Sequence, residues 1–331
     1  MFAHGNVHSS EEIMIKTTTV TLNPALDKTM FFERDFLLGG VNRSHSALKA
    51  VGGKGINVSR VMKQYGVNAL CTGFIGGING NIVCELLDTL DIPYRFSRTK
   101  AETRINIKIK DAGSVMTEAN EMGGPIRESE LASFFKELEK DDSDLMVLSG
   151  SIPRGLPADT YARIVRKMKE KGKTVVVDCD GEALRLAVEE KPFLIKPNIH
   201  ELGMYLGRLP ADREETIAAI RRIWEEKGVR VLCTMGALGA LYIGPEGLYA
   251  VPAASIDRIG NTVCAGDTFL AAFLLSYYGH FDPEESGDIA RALEIASAAA
   301  AAKAEKEGTE IPTAEEMGRH LKGLHAEKLN W

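Results

Sequence analysis

Asn261-Thr262-Val263-Cys264-Ala265-Gly266-Asp267-Thr268-Phe269 runs directly into an apolar, Ala-rich stretch over 270–278. Small residues that end in a carboxylate and open into such a stretch predict a tight turn feeding a buried helix, with Asp267 in the first turn. The first N–H groups of a helix have no intrahelical acceptor and lie at the positive end of its dipole, so the Ala265, Gly266 and Asp267 amides offer a seat for an anion. A carboxylate beside such a seat suits phosphoryl transfer, in which a hydroxyl loses its proton while charge on the moving phosphoryl group is held. An Asp that only caps a core helix after a Gly turn fits the same residues.

Outward from this turn, the chain has the size and composition to support such a site. It has 331 residues, 44% of them apolar, enough for one large α/β domain. A net charge of −6 gives no basic footprint for nucleic acid, and no apolar run approaches the roughly 18 residues that span a bilayer. The five cysteines, Cys71, Cys84, Cys179, Cys233 and Cys264, lack CxxC spacing and read as buried free thiols in a reducing, cytoplasmic setting. Residues 1–14 are polar at first, lack the apolar core of a signal peptide, and read as an extension outside a fold spanning 15–331.

A β-branched run at 15–22 predicts a central strand whose C-terminal end carries Asn23-Pro24-Ala25-Leu26-Asp27. Ligands of open α/β sheets bind at such strand ends, which makes Asp27 a candidate for a polar substrate, although a turn Asp after Pro reads the same way. Residues 28–50 lack helical period and read as short strands outside the main alternation. Val51-Gly52-Gly53-Lys54-Gly55-Ile56-Asn57 then opens a helix through 58–65. Its glycines let backbone amides approach a ligand and Lys54 can reach a phosphate, yet the loop is neither GxxxxGK[ST] nor GxGxxG.

Strand and helix alternate from here: strands at 69–75, 145–148, 174–178, 193–196 and 229–234, and helices at 81–90, 158–171, 182–189 and 199–206. A hairpin at 103–109 and 114–119 interrupts them, and with 28–50 it reads as an exposed small sheet, a lid. Apolar strands alternating with amphipathic helices imply a mostly parallel sheet covered on both faces. Asn198-x-x-Glu201 puts two oxygen-bearing side chains on one face of a helix N-terminus, either as a capping box or as a holder of water-coordinated Mg²⁺. A hairpin follows at 240–251 and an Ala-rich helix at 289–307. His45, His200 and His280 have no partners at metal spacing, and the Lys/Glu runs at 136–141 and 166–173 read as solvated helix faces.

Asn23-Pro24-Ala25-Leu26-Asp27, Gly52-Gly53-Lys54-Gly55-Ile56-Asn57, Lys196-Pro197-Asn198-x-x-Glu201 and Ala265-Gly266-Asp267 occur in one order over nearly the whole chain. This combination resembles the PfkB family of ribokinase-like sugar kinases, over roughly residues 15–315. The resemblance implies a three-layer αβα domain with a β lid at about 28–48 and 98–121, through which many relatives form homodimers. It implies ATP- and Mg²⁺-dependent phosphorylation of a ketohexose phosphate, foremost D-fructose 1-phosphate, with tagatose 6-phosphate and fructose 6-phosphate as alternatives. Asp267 would be the base, with the Cys264, Ala265 and Gly266 backbone as anion hole. Asp27, Gly52, Gly53 and Asn57, with Asn106 on the lid, would meet the sugar. Lys54, Arg104 and Ser151 would lie near its phosphate, joined by Arg43 of the lid. Lys196, Asn198, Glu201, Thr234, Gly236 and Gly239 match nucleotide positions, with Glu201 holding Mg²⁺ through water.

Two departures stand out. Cys264 replaces the family's usual Gly, which crowds the anion hole unless the side chain turns away. Asn261 replaces an Asp that many relatives associate with a monovalent cation, which speaks against a strong K⁺ requirement. A catalytically weak sugar-phosphate sensor is the rival that Cys264 supports; retention of Asp267, Lys54, Asn198 and Glu201 speaks against it.

Overall fold

The computed structural model describes residues 15–113 and 116–330; the expected extension at 1–14 and the start of the expected 114–119 strand lie outside the described residues. The chain opens with β1 (Thr17–Thr21), β2 (Ala25–Phe31), β3 (Ser46–Gly52), α1 (Lys54–Gln64), β4 (Leu70–Ile75), α2 (Gly77–Thr89) and β5 (Tyr94–Arg98). It continues through β6 (Arg104–Lys110), β7 (Met116–Asn120), α3 (Glu128–Leu138), β8 (Leu145–Ser149), α4 (Thr160–Glu170), β9 (Thr174–Asp178) and α5 (Gly181–Glu189). After β10 (Leu194–Ile195), α6 (Ile199–Leu206), α7 (Arg213–Lys227) and β11 (Arg230–Thr234) come β12 (Ala240–Gly244), β13 (Gly247–Val251), α8 (Ala265–Tyr277), α9 (Ile289–Ala304), α10 (Ala314–His320) and β14 (Glu327–Leu329).

The main sheet has the order β14-β13-β12-β11-β10-β9-β8-β1-β4-β5, parallel from β11 to β5 and antiparallel from β11 to β14. Its strand residues alternate between two cores, as a pleat requires. Leu145 and Val147 of β8 face one core with α1, α8, α9 and α10, while Met146 and Leu148 face the other with α3 to α7. The expected three-layer αβα arrangement with a mostly parallel sheet is therefore what the chain forms. Among the described residues no helix is long and apolar enough to cross a membrane. All five cysteines are free thiols; four are buried, whereas Cys264 is only half-buried.

The lid is a separate sheet of order β3-β2-β6-β7. Leu26 and Val51 anchor it to Ile56 of α1, Ile75 of β4, and Val83 and Leu87 of α2. One expectation changes here. Asp27 does not end the central strand: β1 stops at Thr21, and Asn23-Pro24 turns the chain into β2, where Asp27 pairs with Ala50 and Asn106. Pro24 has no N–H to extend the β1 ladder and keeps the residue before it out of the helical region, so the chain leaves the sheet there.

Candidate active site

The Ala265-Gly266-Asp267 turn is the first turn of α8, with Cys264 as its N-cap. Cys264 takes φ 67°, a left-handed conformation that costs a residue with a Cβ about 1 kcal/mol. Replacing Cys264 with Gly is expected to raise the unfolding free energy by up to about 1 kcal/mol, measured as a higher denaturant midpoint; a lower midpoint would mean that packing of the thiol outweighs the strain. The Ala265 amide is spent on the Thr262 carbonyl at 3.1 Å. The Ala265 amide thus leaves the expected anion seat, while the Cys264, Gly266 and Asp267 amides have no backbone acceptor among the described residues.

Asp267 is buried, and Asn57 Nδ2 from α1 donates to its Oδ2 at 2.8 Å. Burial pushes its carboxyl up to about 6, reinforced by the Asp178 charge and opposed by Lys54, the Asn57 hydrogen bond and Lys196. Asp178 is a residue the sequence reading leaves out. It ends β9, fully buried, between Lys54 Nζ on Oδ1 at 3.2 Å and Lys196 Nζ on Oδ2 at 3.3 Å. Burial alone would raise its pKa, but the two ammonium groups outweigh burial and hold it below the usual carboxylate value. For Lys54, burial disfavours the charge, yet Asp178 and Glu201 outweigh it and raise its pKa. A Cβ added to Gly266 would lie 3.7 Å from Lys196 Nζ, so this cation sits over the start of α8.

Lys54 Nζ also donates to Glu201 Oε1 at 2.8 Å. Asn198 and Glu201 form the capping box that their spacing allowed: Asn198 Oδ1 accepts from the His200 and Glu201 amides, and Glu201 Oε2 accepts from the Asn198 amide at 2.9 Å. Thr234 lies beside Asn198 in a parallel bridge, and Gly236 opens the short 3₁₀ turn that Gly239 closes. The nucleotide candidates Lys196, Asn198, Glu201 and Thr234 therefore gather at the C-terminal ends of β10 and β11, where α/β sheets present ligands.

On the lid side, Asp27 accepts from Asn106 Nδ2 at 2.9 Å and from Lys108 Nζ at 2.7 Å, a buried ion pair. A Cβ on Gly52 would meet Asp27 Oδ1 at 2.1 Å, so glycine is what lets the carboxylate sit there. At Gly53, φ 128° and a Cβ position 2.7 Å from Thr21 Cγ2 require glycine too, and they start α1 at Lys54, earlier than the apolar spacing suggests. A cavity of about 180 Å³ is lined by Asn23, Gly53, Lys54, Arg104, Ser151 and Asp180. Arg104 is fixed there by donating to the Asn23 and Glu121 carbonyls, and Asn23 Nδ2 donates to Ser151 Oγ at 3.1 Å. Arg43 is exposed and does not line this cavity.

Besides Asp178, sequence reasoning misses Lys108 and Arg60. Arg60 extends from α1 to donate to the Thr309 carbonyl at 2.8 Å, and burial is the main cause lowering its pKa. Lys108 carries one usable signal: alternate residues 104, 106 and 108 of one strand face the same side, and two of them were already candidates.

The pfkB family carbohydrate kinase model matches residues 20–316. The 1-phosphofructokinase of Bacillus subtilis (strain 168) is 38% identical over 293 residues, 88% of this chain and 94% of that protein. Phosphofructokinase-2 from Escherichia coli, solved in complex with potassium, superposes with a TM-score of 0.86 at 24% identity, covering 93% of this chain and 98% of its own. Ribokinase from Arabidopsis thaliana, solved with ribose and ATP, gives a TM-score of 0.72 at 18% identity, covering 93% and 99%. With the family model matching residues 20–316 and a 38% identical 1-phosphofructokinase covering 88% of the chain, the chain belongs to the pfkB family of carbohydrate kinases and is a sugar-phosphate kinase that transfers phosphate to a hydroxyl.

Proposed function

We propose that the chain transfers the γ-phosphoryl group of ATP to the 6-hydroxyl of D-fructose 1-phosphate, giving fructose 1,6-bisphosphate and ADP. The observation that carries this reading is Asp267, buried at the start of α8 with its pKa raised to about 6 and oriented by Asn57. Such a carboxylate is ionised at neutral pH yet close enough to it in pKa to take a proton in the transition state. The sugar hydroxyl gives its proton to Asp267 as its oxygen bonds to the γ-phosphorus, the bond from that phosphorus to the β-phosphate bridging oxygen breaks, and ADP carries that oxygen away. The Gly266 and Asp267 amides and the Lys196 ammonium face the charge that develops on the phosphoryl group.

Lys54 and Arg104, with Ser151, offer cations and a donor to the substrate's existing phosphate, as recognition of a dianion requires. Asp27 and Asn106 offer acceptor and donor groups to sugar hydroxyls from the lid. Mg²⁺ brought with ATP would be held through water by Glu201, each of whose oxygens keeps a free lone pair, and it supplies neutralisation of phosphate charge. The 1-phosphofructokinase name of the 38% identical relative supports fructose 1-phosphate over its isomers. ADP release should be followed with Mg-ATP and, separately, fructose 1-phosphate, tagatose 6-phosphate, fructose 6-phosphate and fructose. The highest kcat/KM is expected for fructose 1-phosphate; a higher value for another phosphate would move the substrate and keep the mechanism, and no turnover with tight sugar-phosphate binding would favour the sensor.

The lid exposes Leu37, Leu38, Val41 and Leu48, apolar surface of the kind a second lid would cover. We read the working form as a homodimer through the lids. Light scattering is expected to give twice the 36.1 kDa chain mass; a monomer mass at assay concentration would refute it.

A further inference from the structure

Lys303, in the last turn of α9, is completely buried, and no carboxylate lies within ion-pair distance of it among the described residues. Its ammonium instead donates to two backbone carbonyls, Gly308 at 3.1 Å and Asn261 at 3.4 Å. These carbonyls belong to the two segments that flank α8 and α9: 260–264, which delivers the chain into the anion seat, and 305–310, which leaves α9. The Gly260 and Asn261 amides tie the first segment to the last residue of α9, just before the second, by donating to the Ala304 carbonyl at 2.8 and 3.0 Å. Asn261 in turn sets the turn before α8, since its Oδ1 accepts from the Val263 amide at 2.8 Å. The far segment is held twice more, by Arg60 on the Thr309 carbonyl and by lid residue Lys110 on Glu307 at 2.5 Å.

A buried ammonium without a counter-charge is costly, and in an Ala-rich helix an apolar side chain would fill the same space without that cost. Convergent carbonyl oxygens are also how proteins hold small monovalent cations. Burial lowers the Lys303 pKa; the neighbouring Cys264 opposes this, Arg60 and Lys108 add to it, and Glu310 opposes it. The two carbonyl dipoles are thus what face the charge directly. We propose that the Lys303 ammonium is a built-in monovalent cation, which joins the 260–264 and 305–310 segments and so fixes the anion seat at α8 without K⁺ or any other monovalent salt. Lys303 is a positioning residue, acting through Asn261 and the turn up to Cys264. The catalytic part of this inference rests on the kinase reading above; the structural part does not.

The test measures ADP release and thermal melting of the wild type, Lys303→Ala and Lys303→Met, in tetramethylammonium buffer alone and with KCl or NH₄Cl. Wild-type kcat is expected to be unchanged by KCl. Lys303→Ala is expected to lose about 10²-fold in kcat, the scale of a misplaced reacting group, with a smaller change in sugar KM. KCl or NH₄Cl should restore at least about tenfold of that loss and raise the variant's melting temperature but not the wild type's. Lys303→Met, whose side chain keeps the space filled, should be impaired and not restored. Activation of the wild type by K⁺ overturns the proposal, as does full turnover of Lys303→Ala, or an impaired Lys303→Ala that no small cation improves in rate or melting. If Lys303→Ala does not fold, Lys303→Met carries the rate comparison and the wild-type salt titration still decides. A wild type that turns over no sugar phosphate sinks the kinase reading, and the melting comparison then judges this one alone.

Discussion

Asp267→Asn is expected to lower kcat by at least about 10²-fold, the usual scale for removing a general base, and at the same time to stabilise the protein. The two effects have one origin. The Asp267 carboxyl is raised to about 6 because it is buried and faces the Asp178 charge, with Lys54, Asn57 and Lys196 compensating only in part. A carboxyl whose folded pKa lies above its unfolded value contributes stability that is present below the unfolded pKa, near 4, and lost as pH rises to the folded pKa, near 6. At neutral pH the ionised group therefore costs the fold about 2–3 kcal/mol. Asparagine keeps the shape and can still accept from Asn57 Nδ2, without the charge. Denaturant unfolding should show Asp267→Asn more stable than wild type at pH 7.5, with the difference shrinking toward pH 4. In the wild type, kcat/KM should rise with pH through about 6 as Asp267 ionises. Near wild-type turnover in Asp267→Asn would remove Asp267 from the role of base, and equal stability at pH 7.5 would show that the neighbouring cations already neutralise the cost.

How much of this was legible in the sequence depends on how local each signal is. Parallel strands buried on both faces read as apolar runs, so β4, β8, β9 and β11 stand out, and β1 reads by its β-branched Thr and Val residues. Small-residue turns that open helices mark the approach to α1 and α8, although α1 starts at Lys54, ahead of its apolar spacing. Weakly marked elements are different. β5, Tyr94–Arg98, is a half-exposed edge strand defined by pairing with β4, and β14 is three residues placed by β13. α3 buries only Leu131, Phe134 and Leu138, a stripe that reading 136–141 as a solvated face passes over. The site shows the same division. Asp267, Asn57, Lys54, Lys196 and Glu201 lie in recognisable motifs, whereas Asp178 and Lys303 owe their importance to long-range placement. Asp178 closes Thr174-Val175-Val176-Val177-Asp178, and the strand-end argument applied to Asp27 fits it better. Lys303 looks like one more polar residue of an Ala-rich helix that also carries Arg291, Glu294 and Ser297, and nothing local says that it points inward.

Asp178→Ala should be the most destabilising single change at the site, by about 3–5 kcal/mol, since it leaves the buried Lys196 ammonium without its counter-charge and takes one of two from the partly exposed Lys54. Lys196 is 3% exposed and, among the described ion pairs, has no other carboxylate. Lys54 retains Glu201 at 2.8 Å, so Lys196 bears most of the loss. The sign with pH is opposite to that of Asp267. The Asp178 pKa is held below its unfolded value, so its contribution is present above pH 4 or so and is lost as pH falls through the lower folded pKa. Wild type and Asp178→Ala should therefore converge in stability on acidification, while wild type and Asp267→Asn converge from the other side. Asp178→Asn, which keeps the volume, separates electrostatics from cavity formation. Removing the Asp178 charge also removes one of the causes that raise the Asp267 pKa, so in Asp178→Asn the acid limb of kcat/KM should move to lower pH. A variant that is merely destabilised would lose activity at every pH without moving that limb. Unchanged stability in Asp178→Ala would show that Lys54 and Lys196 find other counter-charges, and an unmoved limb in Asp178→Asn would show that the two carboxylates do not act on each other across the site.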